Sequence, residues 1–361
     1  MFKMNIELLN GNNGSLLQGF LNKNKNKQVS HALQFRDAIE ASYPNCKSFY
    51  FLVFEGKCVV GLLPFVFIRS KLFGNRLISS PFLDVGGFLG KFDNKCIDGA
   101  ISHVIELEKL KFVEVRMNKF MHGFENSKKI LQKSKFTDNP EKHQLIIDLT
   151  SEEDMWKRFH KHTRNDYRMS EKSGLVLSKI DSSKKLNQFY KLYVRQMKSF
   201  GSPQHSKKYF KNLFEFGKDS IFSGFNCYKD NTLAGSIIIL HYGEIGYVAF
   251  NVSNPNFRDC RPNDFLYWNA IKGCIKNKLT KLDLGQVEPN LKFGTRARGL
   301  YKFKMKWLGE TYERNYFRYN PQGAIEISGK SKLKRLRSIW KLLPLWVIKL
   351  IGPKICSELG I

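Results

Sequence analysis

Apolar and aromatic residues run from Phe49 to Phe54, the polar triplet Glu55-Gly56-Lys57 interrupts them, and a second apolar run extends from Cys58 to Ile68. Two such runs about a turn-forming triplet predict a β-hairpin. The same grammar returns later. Gly224–Tyr228 leads into the turn Lys229-Asp230-Asn231, then the run Leu233–Tyr242, a Gly243-Glu244 turn, and a strand Ile245–Phe250. Helical segments are expected at His31–Ser42, Asn94–Leu110, Ser151–Ser173, Leu186–Phe200, Ser206–Phe216 and Asn263–Asn277. Lys281–Leu284 alternates charged and apolar residues, so strand, helix and strand follow one another from Ile245 onward, the order a crossover unit requires. The repeated pattern predicts two similar α/β halves, residues 1–148 and 149–329, joined near Asp138–Ser151.

From Lys330 to Ile361 the pattern changes to a basic amphipathic tail. Leu333, Leu336, Ile339, Trp340 and Leu343 recur at helical spacing, with Lys332, Lys334, Arg335, Arg337 and Lys341 mainly between them. Pro344 ends or bends that helix. Two readings are open: peripheral contact with an anionic membrane, or packing on the second half with the charges in water.

Composition sharpens this picture. With 361 residues, 42% hydrophobic and 14% aromatic, the chain can bury two cores. Its formal charge of +28 concentrates anions at the surface, whether phosphate, nucleic acid or acidic lipid, and also suits a lysine-rich proteome. The seven cysteines show no metal-ligand spacing and read as reduced thiols, and no metal is expected. No secretory leader pattern opens the chain, and the apolar stretch Phe49–Ile68 is interrupted by Glu55 and Lys57, so a cytoplasmic location is expected, at the inner face of the membrane if the tail binds lipid.

Several motifs together resemble the FemAB-like branch of the GNAT superfamily. In the first half they are Val60-Gly-Leu-Leu-Pro64, Phe73-Gly74 and Ser80-Pro-Phe-Leu-Asp-Val-Gly-Gly87. In the second they are Trp156, Thr163-Arg-Asn-Asp-Tyr-Arg168, Gly201-Ser-Pro-Gln-His205, Asn254–Trp268, Asp283-Leu-Gly-Gln286 and Tyr301-Lys-Phe-Lys-Met-Lys-Trp307 with Gly309. The resemblance implies an α/β (α+β) fold of two tandem GNAT-type domains, each a mixed, mostly antiparallel sheet flanked by helices. It also implies transfer of an acyl or aminoacyl group to an amine or hydroxyl of a peptidoglycan or exopolysaccharide precursor, without metal or covalent enzyme intermediate, from acyl-CoA or aminoacyl-tRNA.

Such chemistry needs a proton acceptor, oxyanion donors and groups that hold both substrates. No GxSxG elbow and no Cys/His pair is present. Glu288 is the first candidate base and Asp264 the second. Arg258, Arg261 and Asn263 lie where GNAT enzymes place a glycine-rich phosphate loop, and the missing glycines favour a donor other than acetyl-CoA. Pro262 suits a helix start there. Arg164 and Arg168, spaced i, i+4, form either an anion clamp or a solvated face. Gly285 permits close backbone approach, Gln286 donates and accepts, and Tyr301 and Lys304 follow on one face, as substrate contacts or as a packing stripe. Asp84, Gly86 and Gly87 resemble the family's substrate-facing loop, and a plain tight turn fits them as well. His205 is a base or a loop residue before the helix that Ser206 caps.

Two other readings compete: a CoA-dependent N-acetyltransferase acting on a soluble sugar nucleotide, and a basic nucleic-acid-binding protein without turnover. The latter lacks helix-turn-helix, zinc-finger and RNA-recognition signatures.

Overall fold

A computed structural model describes the chain at residues 4–288, 296–323 and 337–360. It divides into two compact units, one of Met1–Lys142, Tyr312–Ser328 and Ile355–Ile361, the other of His143–Thr311 and Gly329–Lys354.

The first unit opens with β1 (Met4–Leu8), α1 (Gly14–Lys23), α2 (Leu33–Ser42) and the hairpin β2 (Cys46–Glu55) and β3 (Cys58–Ile68). Gly56, at φ +63°, turns that hairpin. After β4 (Arg76–Ile78) and β5 (Leu89–Gly90) come α3 (Asn94–Leu107), β6 (Phe112–Asn118), α4 (Phe124–Lys133) and β7 (Thr137–Asp148). Sheet order here is β1-β2-β3-β4-β6, followed by a strand from far along the chain, β13 (Glu310–Tyr319), and then β7. The β4–β6 pair is parallel and the pairs β1–β2, β2–β3, β3–β4 and β6–β13 are antiparallel. Phe49, Phe51, Phe65 and Val115 from one sheet face pack with Ile97, Ile101 and Val104 of α3.

The second unit contains α5 (Glu152–Arg158), α6 (Lys161–Lys172), β8 (Val176–Lys179), α7 (Ser183–Phe200) and α8 (Lys207–Gly217). β9 (Phe222–Lys229), β10 (Thr232–Tyr242) and β11 (Ile245–Ser253) follow, then α9 (Pro262–Lys276), β12 (Lys281–Val287), α10 (Arg296–Met305) and the start of α11 (Leu345–Leu359). Its sheet runs β7-β12-β11-β10-β9-β8, with β11–β12 parallel and the other pairs antiparallel among the described residues. The β9–β10 turn places Asp230 and Asn231 at φ +48° and +59°, which short polar side chains tolerate. α9 is apolar nearly all round, with Phe265, Leu266, Trp268 and Ile271 buried in the core beneath the sheet.

One expectation changes. The single helix expected over Ser151–Ser173 is α5 and α6, broken where Phe159 and His160 adopt ψ of 140° and 150°. The break lets the Phe159 ring sink between Trp268 and Trp307. In the tail, residues 330–336 lie outside the described residues, so Leu333 and Leu336 are not placed. Of the stripe that is described, Trp340 is buried and Ile339 exposed.

Candidate functional site

β11 and β12 pair only from Ile245 to Tyr247 against Lys281 to Asp283, although β11 continues to Ser253 and β12 to Val287. Past that point the ladder between them stops. On its other side β12 slips register against β7 between Asp283 and Gln286, and Gly285 takes φ +79° there. The Asp283 carboxylate, buried, holds the kink by accepting from Gly285 N at 2.6 Å and from Gln144 Nε2 at 2.8 Å.

Lys304, near the end of α10, donates from its buried ammonium to the Gln286 carbonyl at 2.9 Å. Lys304 and Gln286 therefore meet at the C-terminal end of β12, and the half-buried Glu288 lies two residues past Gln286 in the chain. Tyr301 packs part-buried against the core, and Trp307 is wholly buried within it.

The second half of the site surrounds the start of α9. A 3₁₀ turn, Pro255–Cys260, follows β11, opened by Asn254, whose side chain accepts from Asn256 N. Arg261, in the left-handed region at φ +54°, then turns the chain into α9 at Pro262. Its guanidinium pairs with Asp166 of α6. Lys306 reaches both Asp166, at 3.0 Å, and Asp264 of α9. Two cations and two carboxylates thus tie α6, the start of α9 and the end of α10 together. Burial raises the Asp264 pKa, and the Lys306 ammonium opposes that rise.

This arrangement bears on the phosphate-binding reading of the α9 start. Pro262 has no N–H, the N–H groups of Asp264 and Phe265 are directed to the Arg261 carbonyl, and the Asp264 carboxylate stands in the first turn. A helix start so occupied is a poor cradle for a pyrophosphate. Asn263 Oδ1 is buried there without a hydrogen-bond partner, and Arg258 is exposed.

Arg164 and Arg168 both engage α5. Arg164 Nη1 donates to the carbonyls of Lys157 (3.1 Å) and Trp156 (3.4 Å), closing the C-terminal end of α5, and Arg168 lies over the Trp156 ring with its guanidinium carbon 5.5 Å from the centroid. His205 is buried, stacked on Tyr209 with centroids 4.4 Å apart, and burial pulls its pKa down to about 3. It is neutral at physiological pH. Asp84, Gly86 and Gly87 belong to the first unit. There Asp84 pairs with Arg314 at 2.8 Å, Gly86 N donates to the Arg116 carbonyl, and the Gly87 carbonyl lies 3.3 Å from His31 Nε2. A Cβ on Gly86 would collide with Ser80, so the close packing requires glycine.

Asp166 and Lys306, the residues that join the helices, were not singled out from sequence. Their signal is faint: one of two acids, with Glu171, within the basic stretch Lys161–Lys172, and a second lysine two positions after Lys304. Among the described residues no group of three or more His, Cys, Asp or Glu is placed to hold a metal ion, and no helix is long and apolar enough to cross a membrane.

Residues 157–305 match the family model described as Acetyltransferase (GNAT) domain. A crystal structure of FemX superposes with a TM-score of 0.71 at 14% identity, covering 87% of this chain and 97% of that one. A tandem GNAT protein from the clavulanic acid biosynthesis pathway gives 0.58 at 11% identity, over 90% and 100% of the two chains. The C-terminal domain of a putative lysylphosphatidylglycerol synthetase from Agrobacterium fabrum gives 0.55 at 9%, over 97% and 99%. No curated protein sequence matches the chain. Residues 157–305 thus match a GNAT acetyltransferase domain, and the fold of the chain is similar to that of FemX and of a tandem GNAT protein.

Proposed function

We propose that the protein transfers an acyl or aminoacyl group to an amine or hydroxyl of a cell-envelope precursor, of peptidoglycan or exopolysaccharide, by direct attack. The observation that carries this reading is the buried Lys304 ammonium on the Gln286 carbonyl, with the half-buried Glu288 two residues further along the chain, beyond the point where the sheet ladder from β12 to β11 stops. The acceptor's nitrogen or oxygen attacks the acyl carbonyl carbon while Glu288 takes its proton. Negative charge on the carbonyl oxygen is met by Lys304. The donor's ester or thioester bond then breaks, and its oxygen or sulfur leaves with a proton. Asp264, neutralised by Lys306, serves to hold α9 in place, and remains the alternative base.

Aminoacyl-tRNA is favoured over acyl-CoA as donor. The poor pyrophosphate cradle at α9 supports this, as do the +28 charge and the structural neighbour named for lysylphosphatidylglycerol synthesis. The test incubates the purified protein with a mixed aminoacyl-tRNA pool or an acyl-CoA pool and with lipid-linked and soluble envelope precursors, followed by mass spectrometry. One acyl-sized or aminoacyl-sized mass gain on a precursor, absent with Glu288→Gln, is expected. No gain from either donor would overturn the reading, and gain from acyl-CoA alone on a soluble sugar nucleotide would replace it with the N-acetyltransferase one.

A further inference from the structure

An amphipathic helix ordinarily turns its apolar residues inward and has none left to display. The closing helices of the second unit do both. Helical residues 337–342 and the first part of α11 are seated on the loop after α7: Trp340 and Ile348 are buried, and Gln204 Nε2 donates to the Ile348 carbonyl at 2.7 Å. Gly352 approaches the Gln204 amide so closely that a Cβ would collide with it. The inward side is thus complete.

On the outward side Leu342, before the break at Leu343-Pro344, and Trp346 and Leu350, one turn apart on α11, are 84%, 70% and 73% exposed, the three most exposed large hydrophobic side chains among the described residues. Ile339 continues the stripe. Arg337, Lys341, Lys349 and Lys354 are exposed as well, and residues 337–354 contain no acid. This face shares Ile339 with the stripe that the sequence pattern suggests, but Trp340, the aromatic of that pattern, points into the protein.

We propose that this stripe, with its cations, is a docking surface for an anionic lipid bilayer. The proposal deepens the envelope-precursor reading and rests on it for its purpose, since an acceptor carried on lipid is reached from the membrane surface. A second copy of this chain is a poor occupant, because it would set two acid-free basic faces, each on a molecule of charge +28, against one another. Anionic headgroups suit the cations, lysine stems extend toward them, and Trp346 with its leucine neighbours enters the headgroup boundary without crossing the bilayer.

The test is co-sedimentation of the full chain, without donor or acceptor, with vesicles of phosphatidylglycerol and phosphatidylcholine or of phosphatidylcholine alone, at low and high salt. The wild type should bind the anionic vesicles at least about tenfold better, and less at high salt. A Trp346→Ser/Leu350→Ser variant should lose at least about tenfold of that binding with unchanged circular dichroism, because both side chains are exposed. Lys341→Gln/Lys349→Gln should lose the preference for anionic lipid. Equal binding by the apolar variant, no preference for phosphatidylglycerol, or dimers of the wild type that this variant dissolves would overturn the proposal. Turnover of a water-soluble acceptor is followed separately and should be the same in wild type and variants. Vesicle binding without turnover on any acceptor would defeat the acyl-transfer reading and not the surface.

Discussion

Glu288 follows the last residue of β12, half-buried, and Glu288→Gln keeps its shape while removing the group that accepts a proton. Loss of a placed base lowers rates by about 10²–10⁴-fold, so kcat should fall in that range with the melting temperature unchanged. Undiminished turnover would transfer the role to Asp264. His205 gives a second residue-scale expectation. Burial lowers its pKa from 6.5 to about 3, so below pH 6.5 the unfolded chain binds a proton that the folded one refuses. Stability contributed by the neutral ring is complete above pH 6.5 and is lost as pH falls toward 3, by at most about 1.4 kcal/mol per pH unit. His31, lowered to about 4, adds the same trend in the first unit. His205→Phe should flatten the slope of unfolding free energy against pH between 6 and 4, as measured by denaturant titration, relative to wild type; identical slopes would show that the ring titrates normally. At this scale the sequence reveals residue types but not their neighbours. The i, i+4 spacing of Arg164 and Arg168 places them on one face, and only the fold shows that α5 already occupies that face with Trp156 and its terminal carbonyls.

Among elements, the join between α6, α9 and α10 rests on Lys306, which faces two carboxylates and has only 18% of its side chain exposed. Lys306→Met leaves Asp264 charged and largely out of water. Removing one partner of a buried pair costs about 3–5 kcal/mol, and partial exposure of Asp166 places this case near the lower end. The loss should shrink on acidification, because Asp264, already raised by burial and now without its cation, takes up a proton. A destabilisation under about 1 kcal/mol at pH 7, or one independent of pH, would show that the cluster is solvated. Much of the element pattern was legible. The hairpins β2–β3 and β9–β10, and the succession β11, α9, β12, follow from apolar runs, polar turns and Pro262 at the helix start. The break between α5 and α6 was not legible, because Phe159 leaves the helix to fill a space bounded by Trp268 and Trp307, more than a hundred residues away. Nor was the join itself, since an aspartate in a basic helix reads as a surface charge until its partners are seen.

For the whole molecule, the sequence suggests a first domain complete by residue 148, whereas the first compact unit draws on three separate parts of the chain. Its strand β13 lies between β6 and β7, with Arg314, Tyr316 and Arg318 opposite Asn118, Arg116 and Glu114. Phe317 is wholly buried in that unit's core, and Arg318 Nε donates to the buried Glu114 carboxylate at 2.6 Å. The last residues contribute too: Glu358 accepts from Ser70 Oγ and Leu72 N, both at 3.1 Å, and the Leu359 and Gly360 carbonyls accept from Arg76 and Arg116. A fragment ending at residue 148 would therefore lack a central strand, bare the β6 ladder, and leave the buried cations Arg76 and Arg116 without part of their hydrogen bonding. Each lost hydrogen bond to a charged group costs about 1.5–3 kcal/mol against a total stability of about 5–15 kcal/mol for a domain. The periodicity of residues 4–148 is that of a whole domain because two-residue alternation and helical spacing report which face is buried, not whether every strand of the sheet is local. Residues 1–148 expressed alone should give a poorly dispersed amide spectrum and no cooperative thermal transition, whereas the full chain should show both dispersion and cooperativity. A dispersed, cooperatively unfolding fragment would mean that β13 and the final turn are accessories laid on a finished sheet.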